Sequence, residues 1–512
     1  MSRTNNMIRN VSWSFLGQGL GILASFVVRI IFIRVLGSTY LGLDGLFSNI
    51  LTILSLSELG VGTAITYSLY KPLAEKDKSK LKSLMDLFKK VYTVIGLIIF
   101  GIGFGLTPFL SFFINDMPDI KGLEIIYMLF VTNTAVSYFF SYKRNLILAD
   151  QNRHIETIYR YGFYIAMNFI QVIYLLISKD YFGYLIIQVI MTILSNWALS
   201  RKADKMYPFL KEKNIKKLSK KEKNEIVKNT KGLMIQKVGN VVVNSTDNII
   251  LSKFVSLASV GFYSNYRLVI YALMMVINQI YTSLTPGIGN FFIDQDESRR
   301  IELFKKSNFI TYWLAYFCSI CLIVLFNDFI YMFAGEEYLF GFVVVFIIVF
   351  NFYFTVMRKV VISFREAAGL FYKDRYRTLF EALCNLVVSI VLALKCGVFG
   401  VFLGTAISFF SLSFWVEVYV LFKDGLKSKV SYYYLDYFKK LLLTLVVGGL
   451  LYYLCGFLSG YVLIRFIIKC FICLIVPNIV FYIIYRNTDE FKYFKDLGLG
   501  MIGKIKRKII RK

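Results

Sequence analysis

The residues with chemical reach in this sequence are charges embedded in long apolar runs. Arg29 stands in the run 11–36, Glu58 in 41–70, Lys237 and Asp247 in 232–252, and Arg267 in 257–288. A charge near the middle of a hydrocarbon layer costs at least roughly 2.5–3.5 kcal/mol, so each must face water, a ligand or an opposite charge. Arg34, Asp44 and Lys253 stand nearer the ends of the same runs. Guanidinium and ammonium groups gathered in a low-dielectric cleft suit a pyrophosphate, whose charge they offset. The competing assignment is structural. Arg29, Lys237 and Arg267 would then pair with Glu58 or Asp247 as interhelical braces, and Arg34 and Lys253 would extend to the membrane surface. Glu417, and Arg465 with Lys469, are weaker cases of the same kind.

Other chemistries find little support. Seven cysteines all lie beyond position 317, and Cys318/Cys321 and Cys470/Cys473 have CxxC spacing. Both pairs fall inside apolar runs without histidine or acidic partners, so they read as small apolar residues and not as a zinc or redox site. His154, the single histidine, falls at the boundary of a run, as an interfacial residue would. Glu156 and Arg160, four apart, form an ordinary helical surface pair. The segment GLGMIGKI (498–505) nearly satisfies the phosphate-loop pattern, but Ile505 stands where Ser or Thr would hold magnesium. No metal, cofactor or catalytic residue is expected.

The elements that must position these charges follow from the composition. The 512 residues are 57% hydrophobic and 17% aromatic, with only 6 prolines, and the mean hydropathy is +0.61. A water-soluble fold cannot hide that much apolar surface. Fourteen runs are visible: 11–36, 41–70, 91–114, 122–142, 155–177, 182–200, 232–252, 257–288, 308–327, 338–357, 376–394, 398–422, 434–457 and 461–485. They are too long for barrel strands, and a helix satisfies its own backbone in lipid. The expected fold is all-α, a polytopic membrane protein of about 14 transmembrane helices, numbered here 1 to 14 in chain order.

A formal charge of +27 could mark a nucleic-acid binder. Here, however, the charge sits in alternate loops. Lys71–Lys90, Lys143–Arg160, Arg201–Lys231, Arg299–Lys306, Arg358–Arg377, Lys423–Lys440 and the tail after Arg486 are basic, and the intervening connections are short and neutral or acidic. That is the positive-inside pattern, with both termini cytoplasmic and no nucleic-acid partner. The first run shows no cleavage pattern and reads as helix 1.

The stretch 201–231, with twelve Lys or Arg, divides the chain near its middle. An offset of 219 lays Arg9–Asn10 on Lys228–Asn229, Arg34 on Lys253 and Gly42 on Gly261. DLFKK (86–90) matches ELFKK (302–306) at 216, a difference that a three-residue gap in a loop would explain. The expected organisation is an N-terminal six-helix bundle (1–200), a basic cytoplasmic linker (201–231), a C-terminal six-helix bundle (232–425), helices 13 and 14 (426–485) and a basic tail (486–512). An even number of helices per copy relates the bundles by a pseudo-two-fold along the membrane normal, around a central pathway. The deepest charges belong to helices 1, 2, 7 and 8, the corresponding pairs of the two copies.

The run RVLGSTYLGLDGLF (34–47), then LSELGVGTAITYSLYKPLA (56–74) and NSTDNIILSKFVSLASVGFYSNY (244–266), resembles the polysaccharide-transporter branch of the multidrug/oligosaccharidyl-lipid/polysaccharide exporter superfamily. The resemblance implies a flippase in the bacterial plasma (inner) membrane. It would translocate undecaprenyl-pyrophosphate-linked oligosaccharide repeat units by alternating access, for capsule, exopolysaccharide or another envelope glycan. It also implies a cavity lined by helices 1, 2, 7 and 8, with charge at the places of Arg29, Arg34 and Asp247. The implied partners are the polyprenyl-linked oligosaccharide, membrane lipids and glycan polymerase machinery, and Glu58 or Asp247 could couple transport to H+ or Na+. Two alternatives stand beside this reading. A multidrug/toxin cation antiporter of the same superfamily would need acidic binding groups, and a membrane glycan polymerase or glycosyltransferase would carry catalytic groups on a sizeable outer loop.

Overall fold

The computed structural model describes residues 3–58, 61–115, 117–212, 218, 245–294, 296–370 and 376–496. Among the described residues there is no strand, and eleven helices are long and apolar enough to cross a bilayer. Two of the eleven each hold two expected spans. Leu16–Leu54 is broken at Gly37, whose φ of +80° only glycine adopts cheaply, and Arg377–Leu426 is broken at Gly397, φ +56°. The second break is a helical hairpin, because Asn385 Nδ2 donates to Thr405 Oγ1 (3.1 Å) and Ser389 Oγ to the Val401 carbonyl (3.1 Å) across it. Residues 245–254 are the described end of helix 7, so all fourteen spans are represented. Large apolar side chains stay exposed along the spans, among them Leu97, Phe104, Ile177 and Leu442, as lipid-facing surface requires.

Several boundaries shift outward from the apolar runs. Helix 3 begins at Lys78 and not at 91, and helix 9 at Glu297 and not at 308. The basic stretches ahead of these spans, expected as loop, are amphipathic helix. Lys82 pairs with Asp86 at 3.0 Å and Lys306 with Glu302 at 2.6 Å, four apart, while Phe88 and Phe304 turn inward. Likewise Arg358–Arg377 is mostly not a loop, since helix 10 runs through Phe342–Ala367 and helix 11 opens at Arg377.

The chain divides into two compact units, Met1–Ser264 with Ser389–Val401, and Asn265–Val388 with Phe402–Lys512. In the first, helices 2, 3, 4 and 6 close over a core containing Ile65, Leu69, Leu84, Phe88, Leu146 and Leu199. Each such side chain removed from water contributes roughly 1.5–3 kcal/mol. In the second, helix 14 is tied to helix 9. Trp313 Nε1 donates to Asn478 Oδ1 (3.0 Å), and the Tyr316 hydroxyl to the Pro477 carbonyl (3.1 Å).

The first unit also bears on the internal repeat. Under the offset of 219, Gly42 corresponds to Gly261 and Ser38 to Leu257. A Cβ on Gly261 would stand 2.5 Å from the Ser38 carbonyl oxygen, and one on Gly42 would meet the Leu257 carbonyl oxygen closer still. The contact is reciprocal, as a local two-fold demands. Gly45 and Ser264, also equivalents, face each other, with the hydroxyl 2.9 Å from the place of a Gly45 Cβ. Helices 3 and 9 are capped by equivalent aspartates, Asp77 accepting from Lys80 N (2.9 Å) and Asp296 from Arg299 N (3.1 Å). The caps keep the 219 offset and the LFKK segments do not. The three-residue gap therefore falls inside the first turns of these helices, not in a loop.

Candidate functional site

Arg29 lies half-buried on helix 1, eight residues before the break at Gly37, or about 12 Å along the helix. Asp44 follows the break on helix 2, and Arg29 is the cation that faces it. Tyr181 and Tyr184, at the start of helix 6, lie within electrostatic reach of both charges. Their rings are held by edge contacts. Phe32 meets Tyr181 at 5.7 Å and Tyr184 at 5.4 Å, and Tyr40 meets Tyr181 at 4.9 Å. On helix 5 the Tyr164 hydroxyl is 2.7 Å from Ser25 Oγ, one turn below Arg29. Among the described residues Arg29 and Asp44 make no ion pair. The result is a cation and a carboxylate near a cluster of phenols, of which Tyr181 is buried.

The local order of helix 6 keeps this wall in place. Asp180 caps the helix, accepting from Phe182 N (3.1 Å), Gly183 N (2.7 Å) and the Tyr174 hydroxyl (3.0 Å). Partial desolvation pushes its carboxyl up, but the three donors outweigh this and hold it below the ordinary carboxylate range.

Glu58 occupies a second polar pocket in the same unit. Helix 2 is interrupted here: the α-helix ends at Leu54, a tighter turn spans Ser55–Glu58, and helix resumes at Val61. The carboxylate accepts from the Tyr92 hydroxyl (3.3 Å), which in turn accepts from Asn145 Nδ2 (2.9 Å). Tyr138 lies near both Glu58 and Ser55 and stacks on Tyr92 at 6.2 Å. Gly62 borders this pocket, and a Cβ there would lie 3.0 Å from the Tyr92 oxygen. A carboxylate at a helix break, ringed by neutral donors, can exchange a proton or hold a small cation.

The remaining sequence candidates scatter. Arg34 is exposed. Lys253, its repeat equivalent, stands over the Phe112 ring at 5.4 Å, beside the bond from Asn115 N to the Ser252 carbonyl (3.2 Å). Asp247 is half-buried on helix 7, and Arg267 is half-buried on helix 8 within the second unit. Lys237 and the segment 498–505 lie outside the described residues.

The second unit holds charge networks that the apolar runs concealed. Arg358 forks onto two carboxylates. Its Nε and Nη2 reach Glu417 at 2.7 and 3.0 Å, and its Nη1 and Nη2 reach Glu381 at 3.1 Å each. Arg377 adds bonds to Glu381 (2.9 Å), Glu417 (2.7 Å) and Ser413 Oγ, and Arg365 reaches Glu417 at 3.4 Å. Of this group the sequence singles out Glu417 alone. It places Arg358 and Arg377 in a loop, and the signal against that placement for Arg358 is its distance from the nearest glycine of the stretch, Gly369. Asp328 on helix 9 binds Arg465 (2.7 Å) and Lys469 (2.6 Å) of helix 14. Glu156, expected at the surface, is 2% exposed between Arg144 (2.9 Å) and Arg160 (3.3 Å). No group of metal-ligating side chains occurs among the described residues.

Comparison with known proteins places this geometry in context. A family model described as polysaccharide biosynthesis protein matches residues 7–292. Among solved structures, the lipid II flippase MurJ in an inward closed conformation is similar at 16% identity and a TM-score of 0.69, covering 94% of this chain and 99% of that one. An inward-facing multidrug resistance MATE family transporter of the MOP superfamily is similar at 13% identity and TM-score 0.66, over 80% of this chain and 95% of that one. A point mutant of the Vibrio cholerae MATE transporter VcmN gives 13% identity and TM-score 0.55, over 83% and 98%. At these identities the likeness is one of fold. No curated protein matches the sequence.

Proposed function

Because the chain belongs to the polysaccharide biosynthesis protein family, we propose that it is a flippase that carries undecaprenyl-pyrophosphate-linked oligosaccharide repeat units from the cytoplasmic to the outer leaflet of the bacterial cell membrane. The observation that carries this reading is the Arg29 wall: a guanidinium that makes no ion pair among the described residues, within electrostatic reach of Asp44, Tyr181 and Tyr184. A guanidinium offsets a diphosphate in a site of low dielectric. Phenol rings offer flat faces to sugar rings, and their hydroxyls exchange hydrogen bonds with sugar hydroxyls. Arg267, Lys237, Asp247, Arg34 and Lys253 remain candidate substrate-binding residues in this reading.

Alternating access moves the cargo, with both termini cytoplasmic and the prenyl tail left in lipid. The product serves capsule, exopolysaccharide or another envelope glycan, and polymerisation at the outer face draws the reaction forward. Glu58, in its ring of Tyr92, Tyr138 and Asn145, is the group suited to couple transport to H+ or Na+.

The test is export of the glycan in Arg29→Ala and Arg267→Ala variants, with folded protein in the membrane quantified in parallel. Both variants should lose export while remaining folded, and unchanged export in both would remove the proposed phosphate site. The Glu58 pocket supports one other reading, a cation antiporter, since a desolvated carboxylate among tyrosines also suits a cationic drug. Drug resistance that tracks expression, with normal glycan export in a deletion strain, would favour it.

A further inference from the structure

The Asp328 cluster of the second unit has more cation than its carboxylate can neutralise. Arg465 and Lys469 both close on Asp328, at 2.7 and 2.6 Å, leaving a net charge of +1. The Arg465 Nε is buried without a hydrogen-bond partner, and Lys469 is 9% exposed. These groups stand near one end of their helices. Arg465 and Lys469 are three and seven residues from Val462, where helix 14 begins, and Asp328 is five from Phe333, where helix 9 ends. At 1.5 Å per residue this is a depth of roughly 5–10 Å, the level of lipid phosphate and glycerol groups.

The cluster borders a cavity of about 360 Å³ lined by Asp328, Lys469, Asn327, Tyr452, Tyr453 and Gly456. Asn327 is already engaged, donating to the Phe340 carbonyl (3.0 Å) and accepting from the Tyr266 hydroxyl (2.7 Å), so the polar character left for a guest comes from Lys469 and the tyrosines, with Arg465 behind Asp328. Glu336 and Glu337 are exposed in the turn beyond helix 9 and do not line the cavity. Ile323 and Phe342 form part of its wall and also part of a neighbouring apolar groove with Phe346, Leu441 and Leu445. Charge at headgroup depth therefore continues directly into an apolar channel running toward the bilayer centre.

We propose that this pocket binds the phosphate of an anionic phospholipid, with an acyl chain in the adjoining groove, as a lipid site separate from the Arg29 wall. The excess positive charge selects for an anion. The groove selects for one carrying a hydrocarbon chain, because soluble phosphate would leave the apolar wall unused. Bound lipid would hold helices 9, 10, 13 and 14 together at this end, stabilising the unit by mass action.

The test uses the purified full chain in neutral detergent, measuring thermal unfolding and lipid retention by native mass spectrometry. The additions are phosphatidylglycerol, phosphatidylcholine or inorganic phosphate. Wild-type protein should retain phosphatidylglycerol about tenfold more tightly than phosphatidylcholine, a difference of about 1.4 kcal/mol. Arg465→Gln and Lys469→Gln each leave Asp328 one cation and should reduce that preference to near unity. Gly456→Leu is a second route that leaves the charges alone. A Cβ there meets nothing within 4 Å, so the leucine fits the chain but fills the cavity, and phosphatidylglycerol retention should fall. Equal retention of the two lipids by wild type would overturn the proposal, as would an undiminished preference in folded Gly456→Leu protein. Inorganic phosphate stabilising as strongly as phosphatidylglycerol would overturn the lipid part. Glycan export by Arg29→Ala reads the other site, so the two proposals fail separately.

Discussion

Two sets of charges, one in each unit, are built in opposite ways. In the second, Arg358, Arg365, Arg377, Glu381 and Glu417 form a closed lattice in which each guanidinium has a carboxylate within 3.4 Å. In the first, Arg29, Asp44 and Glu58 are surrounded by tyrosines and an asparagine, with no ion pair among the described residues. Such a lattice spends most of its charge on its own members, and breaking it exposes a naked charge. A charge met by neutral donors keeps most of its field available and is less costly to remove. By this measure the Arg358–Glu417 lattice is a brace, and the surroundings of Arg29 and Glu58 are the proposed site. The contrast can be ranked on one scale, the change in unfolding free energy.

The largest effect belongs to the lattice. Glu417→Gln removes the carboxylate shared by Arg358, Arg365 and Arg377 and leaves three cations against Glu381 alone. Breaking a buried pair costs about 3–5 kcal/mol, so the variant should lose most of its folded population in a thermal unfolding assay. A wild-type melting temperature would show that the lattice is not what holds helices 10, 11 and 12, and the contrast between the units would lose its structural half.

Next comes a device that the first unit uses at its repeat contact, close backbone approach. Gly261→Val and Gly42→Val each press a side chain into a carbonyl of the facing turn, where neither backbone can yield. Overpacking of this kind costs roughly 1–3 kcal/mol. Because the contact is reciprocal, the two variants should destabilise by similar amounts. A cost at one position only would break the local symmetry inferred from the 219 offset.

Smaller still are the caps. Asp77→Ala and Asp296→Ala should each lower stability by about 1 kcal/mol, one in each unit, and to the same extent as equivalent positions of the repeat. Asp180→Ala should do likewise, with a pH signature. Its carboxyl is held below its unfolded value, so the contribution is complete above the ordinary carboxylate pKa and fades as pH falls through the depressed one. Melting temperatures of wild type and Asp180→Ala should therefore converge in acid. A constant gap would assign the effect to packing.

The spans were legible because lipid imposes a length and forbids open backbone, so each apolar run had one solution. The repeat was legible through Gly42 and Gly261, residues whose role is to be absent where two turns meet. Helix starts at Lys78 and Glu297 were not, because hydropathy marks where a helix enters lipid and not where it begins. The lattice was missed for a related reason. Arg358 and Arg377 look like loop residues until Glu381 and Glu417 arrive from other helices, and no local spacing announces that meeting. The same blindness applied to Arg29. The sequence showed a buried cation, but whether it met a carboxylate or a phenol was decided by helices 5 and 6, more than a hundred residues away.

Arg29→Gln should change stability least and function most. With no ion pair to break, the Asp44 carboxylate left behind can neutralise by taking up a proton, and the amide can still bond to the phenols, so the cost should stay near ~0.5 kcal/mol. Export of the glycan should nevertheless fall at least about tenfold, because an amide cannot offset a diphosphate. Melting temperature and export measured on the same preparation separate the two roles. A melting temperature that drops as far as that of Glu417→Gln would make Arg29 a brace, and the difference between the units would then be only one of partner type. A stable, inactive variant would instead tie transport to an arginine whose field is not already spent on a neighbour.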